Sequence, residues 1–322
     1  MRRLSSFALA LLLLLPAAVT LHAQDWAKSR LEASPRHSEW VPLKHSGRTV
    51  NAYVVYPEIK GKAPVVILIH EIFGLTDWAK EMADEIAAAG YIVIAPDLLT
   101  GFGPNGGGFD AFPTQGDAQK AVSLLNADTV NDDLSAAADY VKTIPAANGK
   151  LFVTGYCWGG GKSFLFATKR HDLTAAFVFY GPPPVEADLK NITAPVYGFY
   201  AGNDARISST VPATTETMKS LGKKYDPVIY DGAGHGFMRA GEDPTQPTGN
   251  TTPAMAEANK KARTQGFARM TTLLKQLNAT GKATAAAPRS SHVLKVSARK
   301  SAAPVICHDP EMQMATPMTG SM

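Results

Sequence analysis

Between residues 45 and 278 the chain alternates short apolar runs with longer stretches of helical period. Residues 49–56 alternate in part and are rich in β-branched side chains, the pattern of an edge strand. Residues 64–70 and 91–96 are apolar almost throughout, as parallel strands covered on both faces are. Between them Trp78, Met82 and Ile86 recur every fourth position. Thr76 or Asp77 stands where an N-cap belongs, and Gly90 follows, which predicts a helix over 76–89. Residues 118–142 are helical in character, with a break near Asp128. Further strands are predicted at 151–154, 175–180, 194–200 and 227–230, and further helices at 211–221 and 253–277. Strands alternating with helices imply a doubly wound, mostly parallel sheet with helices on both faces.

The flanks lack these periods. Residues 1–23 read as a signal peptide: Arg2 and Arg3 precede an apolar run from Phe7 to Val19, and Leu21-His22-Ala23 offers a cleavage site. The run is short for a membrane span, so no stable span is expected after cleavage, and the mature protein is expected to be periplasmic or secreted. Residues 24–42 are polar and mixed, an irregular arm. Residues 101–116, rich in Gly, Pro, Asn and Phe, predict a long surface loop of the kind that serves as a lid or binding loop. From residue 280 onward Ala, Ser, Pro, Lys and Arg dominate, which predicts a disordered tail over 280–322 and leaves 24–279 as one α/β domain.

Charge narrows the class of partner. Of the net charge of +4, two positive charges lie in the leader and a net three in residues 281–322, so the body is close to neutral. That gives no electrostatic basis for a nucleic-acid partner. Cys307, His308 and the methionines of the tail are soft donors, but they lack the tight spacing of a metal site. No metal or cofactor is expected. Cys157 and Cys307 are the two cysteines, and a structural disulfide between them is the weaker reading because one lies in the tail.

The chemistry centres on Gly155-Tyr156-Cys157-Trp158-Gly159. It follows an apolar strand and opens a helical segment, the context of a nucleophile elbow with cysteine in the serine position. At such a turn the sulfur sits at a helix N-terminus, whose N–H groups stabilise a thiolate. A buried, inert cysteine would fit the same turn. Asp204 and His235 decide between the two, because each follows a predicted strand and the order nucleophile, acid, histidine is that of an α/β-hydrolase fold. His235 would act as base and acid, with Asp204 orienting it. The backbone N–H groups of Ile72 and Trp158 are the expected oxyanion donors.

These residues resemble the dienelactone hydrolases (carboxymethylenebutenolidases). The likeness rests on Glu71-Ile72-Phe73-Gly74, Gly90-Tyr91 with Ala95-Pro96-Asp97-Leu98, the elbow, Asp204, and the run from Ala233 to Arg239. It implies a Cys157–Asp204–His235 triad. It also implies that Glu71 meets the resting thiol and that Arg239 grips a substrate carboxylate. One departure concerns the second arginine by which dienelactone-specific members hold that carboxylate: between Lys80 and Lys120 this chain has no Lys or Arg. The expected protein is a monomeric, exported cysteine hydrolase of small esters or lactones, working through a thioester. A broad esterase or acyltransferase on the same triad, and a non-catalytic thiol sensor or binding protein, are the alternatives.

Overall fold

The computed structural model describes residues 25–240 and 252–279. The leader and the tail, with the readings made on them, lie outside the described residues. One sheet contains β1 (Ser38–His45), β2 (Arg48–Val55), β3 (Ala63–Ile69), β4 (Ile92–Pro96), β5 (Ala147–Tyr156), β6 (Ala175–Phe179), β7 (Val196–Ala201) and β8 (Tyr225–Tyr230). Their order is β1-β2-β4-β3-β5-β6-β7-β8. β2 runs antiparallel to β1 and β4, and β3 to β8 run parallel. The helices are α1 (Asp25–Ala33), α2 (Asp77–Ala88), α3 (Gln115–Ser123), α4 (Ala127–Tyr140), α5 (Trp158–Lys169), α6 (Ala205–Ser208), α7 (Val211–Ser220) and α8 (Pro253–Ala279).

The apolar strands are continuous because both faces are covered. Every residue of β3 is buried. Val65, Ile67 and Ile69 enter a core with Leu134 of α4, Phe164 of α5 and Met218 of α7. Val66 and Leu68 enter a second core with Trp78 and Met82 of α2 and with Met270 and Leu274 of α8. Each such side chain contributes about 1.5–3 kcal/mol by leaving water, so the centre of the sheet is a firm base for the loops at its C-terminal edge. α8 is fastened at its end: the Lys150 ammonium on β5 donates to the carbonyls of Leu277 and Asn278 at 2.8 and 2.6 Å, groups that a helix C-terminus otherwise leaves unpaired.

Two expectations change. The stretch before residue 42 is ordered, not an irregular arm. α1 and the turn after it lie on α2 largely through polar contacts, with Arg30 on Glu81 at 3.2 Å and both Ser34 and Arg36 on Asp84 at 2.6 and 2.8 Å, while Ala27 is buried and the half-buried Trp26 packs on the second core. Polar contacts of that kind leave no apolar period to read. β1 then covers β2, which is therefore an interior strand, and Pro42 is tolerated because β1 is the edge.

The 101–116 segment is a loop broken by two short 3₁₀ turns, at Pro104–Gly106 and Phe109–Ala111, and α3 begins at its end. Asp97, at the end of β4 and only 5% exposed, accepts the Leu99 N–H at 3.1 Å and the Phe109 N–H at 2.8 Å. The Phe109 ring lies on Gly74, which has φ +85°. One carboxylate thus ties the loop to the end of the sheet. Asp97→Ala should cost about 1–3 kcal/mol, because a buried N–H at Leu99 and a half-buried one at Phe109 lose their acceptor. Hydrogen exchange should quicken at Leu99 and Phe109 while β3 and β5 keep their protection. Unchanged exchange at both amides would show that the carboxylate does not hold the loop.

Candidate active site

Cys157 stands between β5 and α5 with φ 56° and ψ −119°, a conformation that costs a non-glycine residue about 1–3 kcal/mol. Its surroundings over-determine it. The Cys157 N–H donates to the Phe179 carbonyl at 3.1 Å, and its carbonyl accepts the Gly161 N–H at 3.2 Å. A Cβ on Gly155 would collide with the Gly159 carbonyl, and one on Gly159 with the carbonyl oxygens of Ile69 and His70. Glycine at both positions lets the start of α5 press against the end of β3.

Asp204 follows β7, caps α6 and is 8% exposed. His235 follows β8. Two bonds join their loops: the Asn203 N–H donates to the Ala233 carbonyl at 2.8 Å, and the Asn203 amide to the Gly232 carbonyl at 2.9 Å. Asn259 on α8, itself buried, accepts the Gly234 N–H at 2.7 Å. In that frame His235 Nδ1 lies 2.6 Å from Asp204 Oδ2, and Cys157 is near enough to the imidazole to act on its charge. Burial works against the imidazolium, but the bond to Asp204 and the neighbouring Cys157 prevail and hold the His235 pKa up at about 9. Asp204, His235 and Cys157 thus stand together at the C-terminal edge of the sheet, the first two hydrogen-bonded and the third electrostatically coupled to the ring.

Glu71 follows β3 and is 2% exposed. Burial pushes its pKa up, and the charge of Arg239 opposes that most strongly. Arg239 Nε is 3.3 Å from Glu71 Oε2, an ion pair that lacks hydrogen-bond alignment, and its guanidinium lies over the Phe73 ring at 4.9 Å. The Tyr180 hydroxyl donates to Glu71 Oε1 at 3.5 Å. The resemblance implies a resting contact of Glu71 with the thiol; in this structure the carboxylate faces Arg239 and Tyr180 instead. A buried carboxylate needs a cation; Arg239 forms its ion pair, and His235 adds a weaker attraction.

The Trp158 N–H is at the first position of α5, where no intrahelical acceptor exists. The Ile72 N–H belongs to the turn after β3, closed by the Gly74 N–H donating to the Glu71 carbonyl at 3.1 Å. Arg206 is exposed on α6. Among the described residues no three His, Cys, Asp or Glu side chains are grouped as metal ligands, and no helix is long and apolar enough to cross a membrane.

The motifs did not point to His70, Tyr180, Asn203 or Asn259 as parts of the site. Tyr180 has φ 39° and sets its ring edge-on to His235 at 5.0 Å. Its place at the end of a strand, where Cys157, Asp204 and His235 also stand, was the available signal. Asn259 offered none, since its partner is a backbone amide 25 residues away.

The strand order, the reversed β2 and the loops at the C-terminal edge define an α/β-hydrolase fold. Residues 50–278 match the model of the dienelactone hydrolase family. A carboxymethylenebutenolidase of Pseudomonas putida is 31% identical over 229 residues, covering 67% of this chain and 90% of the relative. Among solved structures, one assigned to the dienelactone hydrolases of Klebsiella pneumoniae aligns with TM-score 0.62 and 25% identity, over 75% of this chain and 99% of the other. A dienelactone hydrolase-like phosphotriesterase from metagenomic libraries shares the fold with TM-score 0.60 and 22% identity, over 75% and 98%. The chain belongs to the dienelactone hydrolase family and is a hydrolase of ester or lactone bonds.

The Glu71–Arg239 pair can be tested by stability alone. Arg239→Met leaves a buried carboxylate without its cation, an expected loss of about 3 kcal/mol at pH 7. The folded-state pKa of Glu71 is already raised and rises further in the variant. Below it the carboxyl is neutral and needs no cation, so the deficit should shrink as pH falls. A deficit that stays constant with pH would mean that the arginine contributes by packing only.

Proposed function

We propose that the protein is an exported cysteine hydrolase of small-molecule esters and lactones that turns over through a thioester on Cys157. The observation carrying this is the Asp204–His235 hydrogen bond at the edge of the sheet, with Cys157 near enough to the ring to help raise its pKa. In the proposed cycle the Cys157 thiolate attacks the substrate carbonyl carbon and the carbonyl electrons move to oxygen. The Ile72 and Trp158 N–H groups donate to that oxyanion. When the tetrahedral species collapses, the His235 imidazolium gives its proton to the departing alkoxide, and Asp204 keeps the ring in register. The neutral imidazole next removes a proton from water, which attacks the thioester carbonyl. Collapse expels the thiolate and frees the acid.

Arg239 is the cation for a substrate carboxylate, but it is paired with Glu71 at rest. An anionic substrate must displace Glu71, whereas a neutral ester or lactone need not. The loop over the site supplies Phe109 and Phe112 in place of a second cation. Both features favour turnover of neutral substrates alongside carboxylate-bearing ones. Export rests on the leader pattern of residues 1–23.

Hydrolysis of a short aryl ester, a neutral lactone and a carboxylate-bearing dienelactone by the reduced mature protein tests the reading. Cys157→Ala should abolish turnover with the fold intact, and Cys157→Ser should retain little; full activity in the alanine variant would remove the mechanism. The pH profile gives a second test. His235 has its pKa raised to about 9, so the proton needed by the leaving group is present at neutral pH and is lost as pH rises through that value. kcat/KM for an alkyl ester should fall on the alkaline side near pH 9. An aryl ester, whose phenolate leaves unaided, should fall less, and identical alkaline limbs would count against His235 as the acid.

A further inference from the structure

Among the buried titratable side chains to which the cycle gives no role is His70, which lies beside the proposed oxyanion donors. His70 is 0% exposed, and its Nδ1 lies 2.7 Å from the Glu71 carbonyl oxygen. A carbonyl only accepts, so Nδ1 carries the hydrogen, and Nε2 is left as a buried lone pair with no partner among the described residues. Burial drives the His70 pKa down to about 4, which keeps the ring neutral at working pH. One face of the ring stacks on the Trp158 indole, with centroids 5.6 Å apart and planes inclined by 10°.

The Glu71 carbonyl and the Ile72 N–H are the two ends of one peptide unit. That unit is trans, so the two groups point in opposite directions. Holding the carbonyl therefore aims the N–H. Two donors hold it, the Gly74 N–H within the turn and the His70 ring from the buried side. We propose that His70 is the positioning residue of the oxyanion hole: its bond to the Glu71 carbonyl aims the Ile72 N–H at the reacting oxygen, and its stack on Trp158 fixes the spacing to the second donor. The inference rests on the thioester mechanism above. Without the His70 bond, rotation of the 71–72 peptide opposes only the turn bond, and the rotated unit presents a carbonyl oxygen where the oxyanion must form.

Two reactions of the same thiol separate this role from simple packing. Iodoacetamide alkylates Cys157 by forming a C–S bond as iodide leaves a tetrahedral carbon, so no oxyanion arises. Acylation by p-nitrophenyl acetate passes through one. In the full mature chain, His70→Phe keeps a ring on Trp158 and removes the donor. It should slow single-turnover p-nitrophenolate release by about 30-fold or more, as loss of one oxyanion donor does. KM and the alkylation rate should stay within about twofold, because neither depends on the hole. His70→Asn, whose amide nitrogen reaches the Nδ1 position, should restore acylation to within about fivefold of wild type, one neutral hydrogen bond being retained.

Unchanged acylation in His70→Phe would overturn the proposal, as would acylation and alkylation falling together, or His70→Asn being as slow as His70→Phe. If His70→Phe does not fold, His70→Ala takes its place with the same outcomes. Wild-type turnover that survives Cys157→Ala would be a different failure, removing the nucleophile assignment and this inference with it.

Discussion

The active-site edge depends on one backbone contact, between Gly159 at the start of α5 and the Ile69 and His70 carbonyls at the end of β3. It can exist only without a Cβ at that position. It brings the turn that carries the Ile72 N–H against the helix that carries the Trp158 N–H, and it holds Cys157 in a conformation the residue would not choose alone. The strain is local, and the two buried cores on either face of the sheet offset it. The site is thus assembled by the close packing of β3 and β5 with α5. The loops then complete it.

The remaining groups are placed by polar anchoring. Asn203 and Asn259 fix the backbone from Gly232 to Gly234 that leads into His235, and Asp204 orients the imidazole. Asp97 fixes the covering loop. Beneath them lies Glu71, a carboxylate that burial disfavours and Arg239 rescues. Its resting partner bears on selectivity, because the cation that would recognise an anionic substrate already neutralises a group of the enzyme itself.

Much of this was legible in the sequence. Residues 64–70 announced a central strand because both of its faces are apolar, and α2 announced its start through Thr76, which caps it in the structure. Cys157, Asp204 and His235 could be picked out because each follows a strand, and in this topology strand ends converge. What stayed hidden was polar and non-local. α1 and the turn after it are held largely by Arg30, Ser34 and Arg36 on α2, and the adjacent Trp26 and Ala27 do not make an apolar period. Asn259 serves a backbone amide rather than a side chain, and no motif encodes such a bond. The Glu71–Arg239 pairing was hidden because a spacing of residues says which groups share a site but not which of several partners a carboxylate chooses.

The anchoring of α8 has a mechanical consequence. The helix touches the histidine loop near its beginning, through Asn259, and is clamped at its end by Lys150 on β5. It is a strut that reaches from the catalytic edge of the sheet to the opposite rim. A load applied beyond residue 279, by a tether, a surface or a fused partner, is delivered to that rim. Two bonds from Lys150 therefore stand between the end of the helix and its contact with the histidine loop.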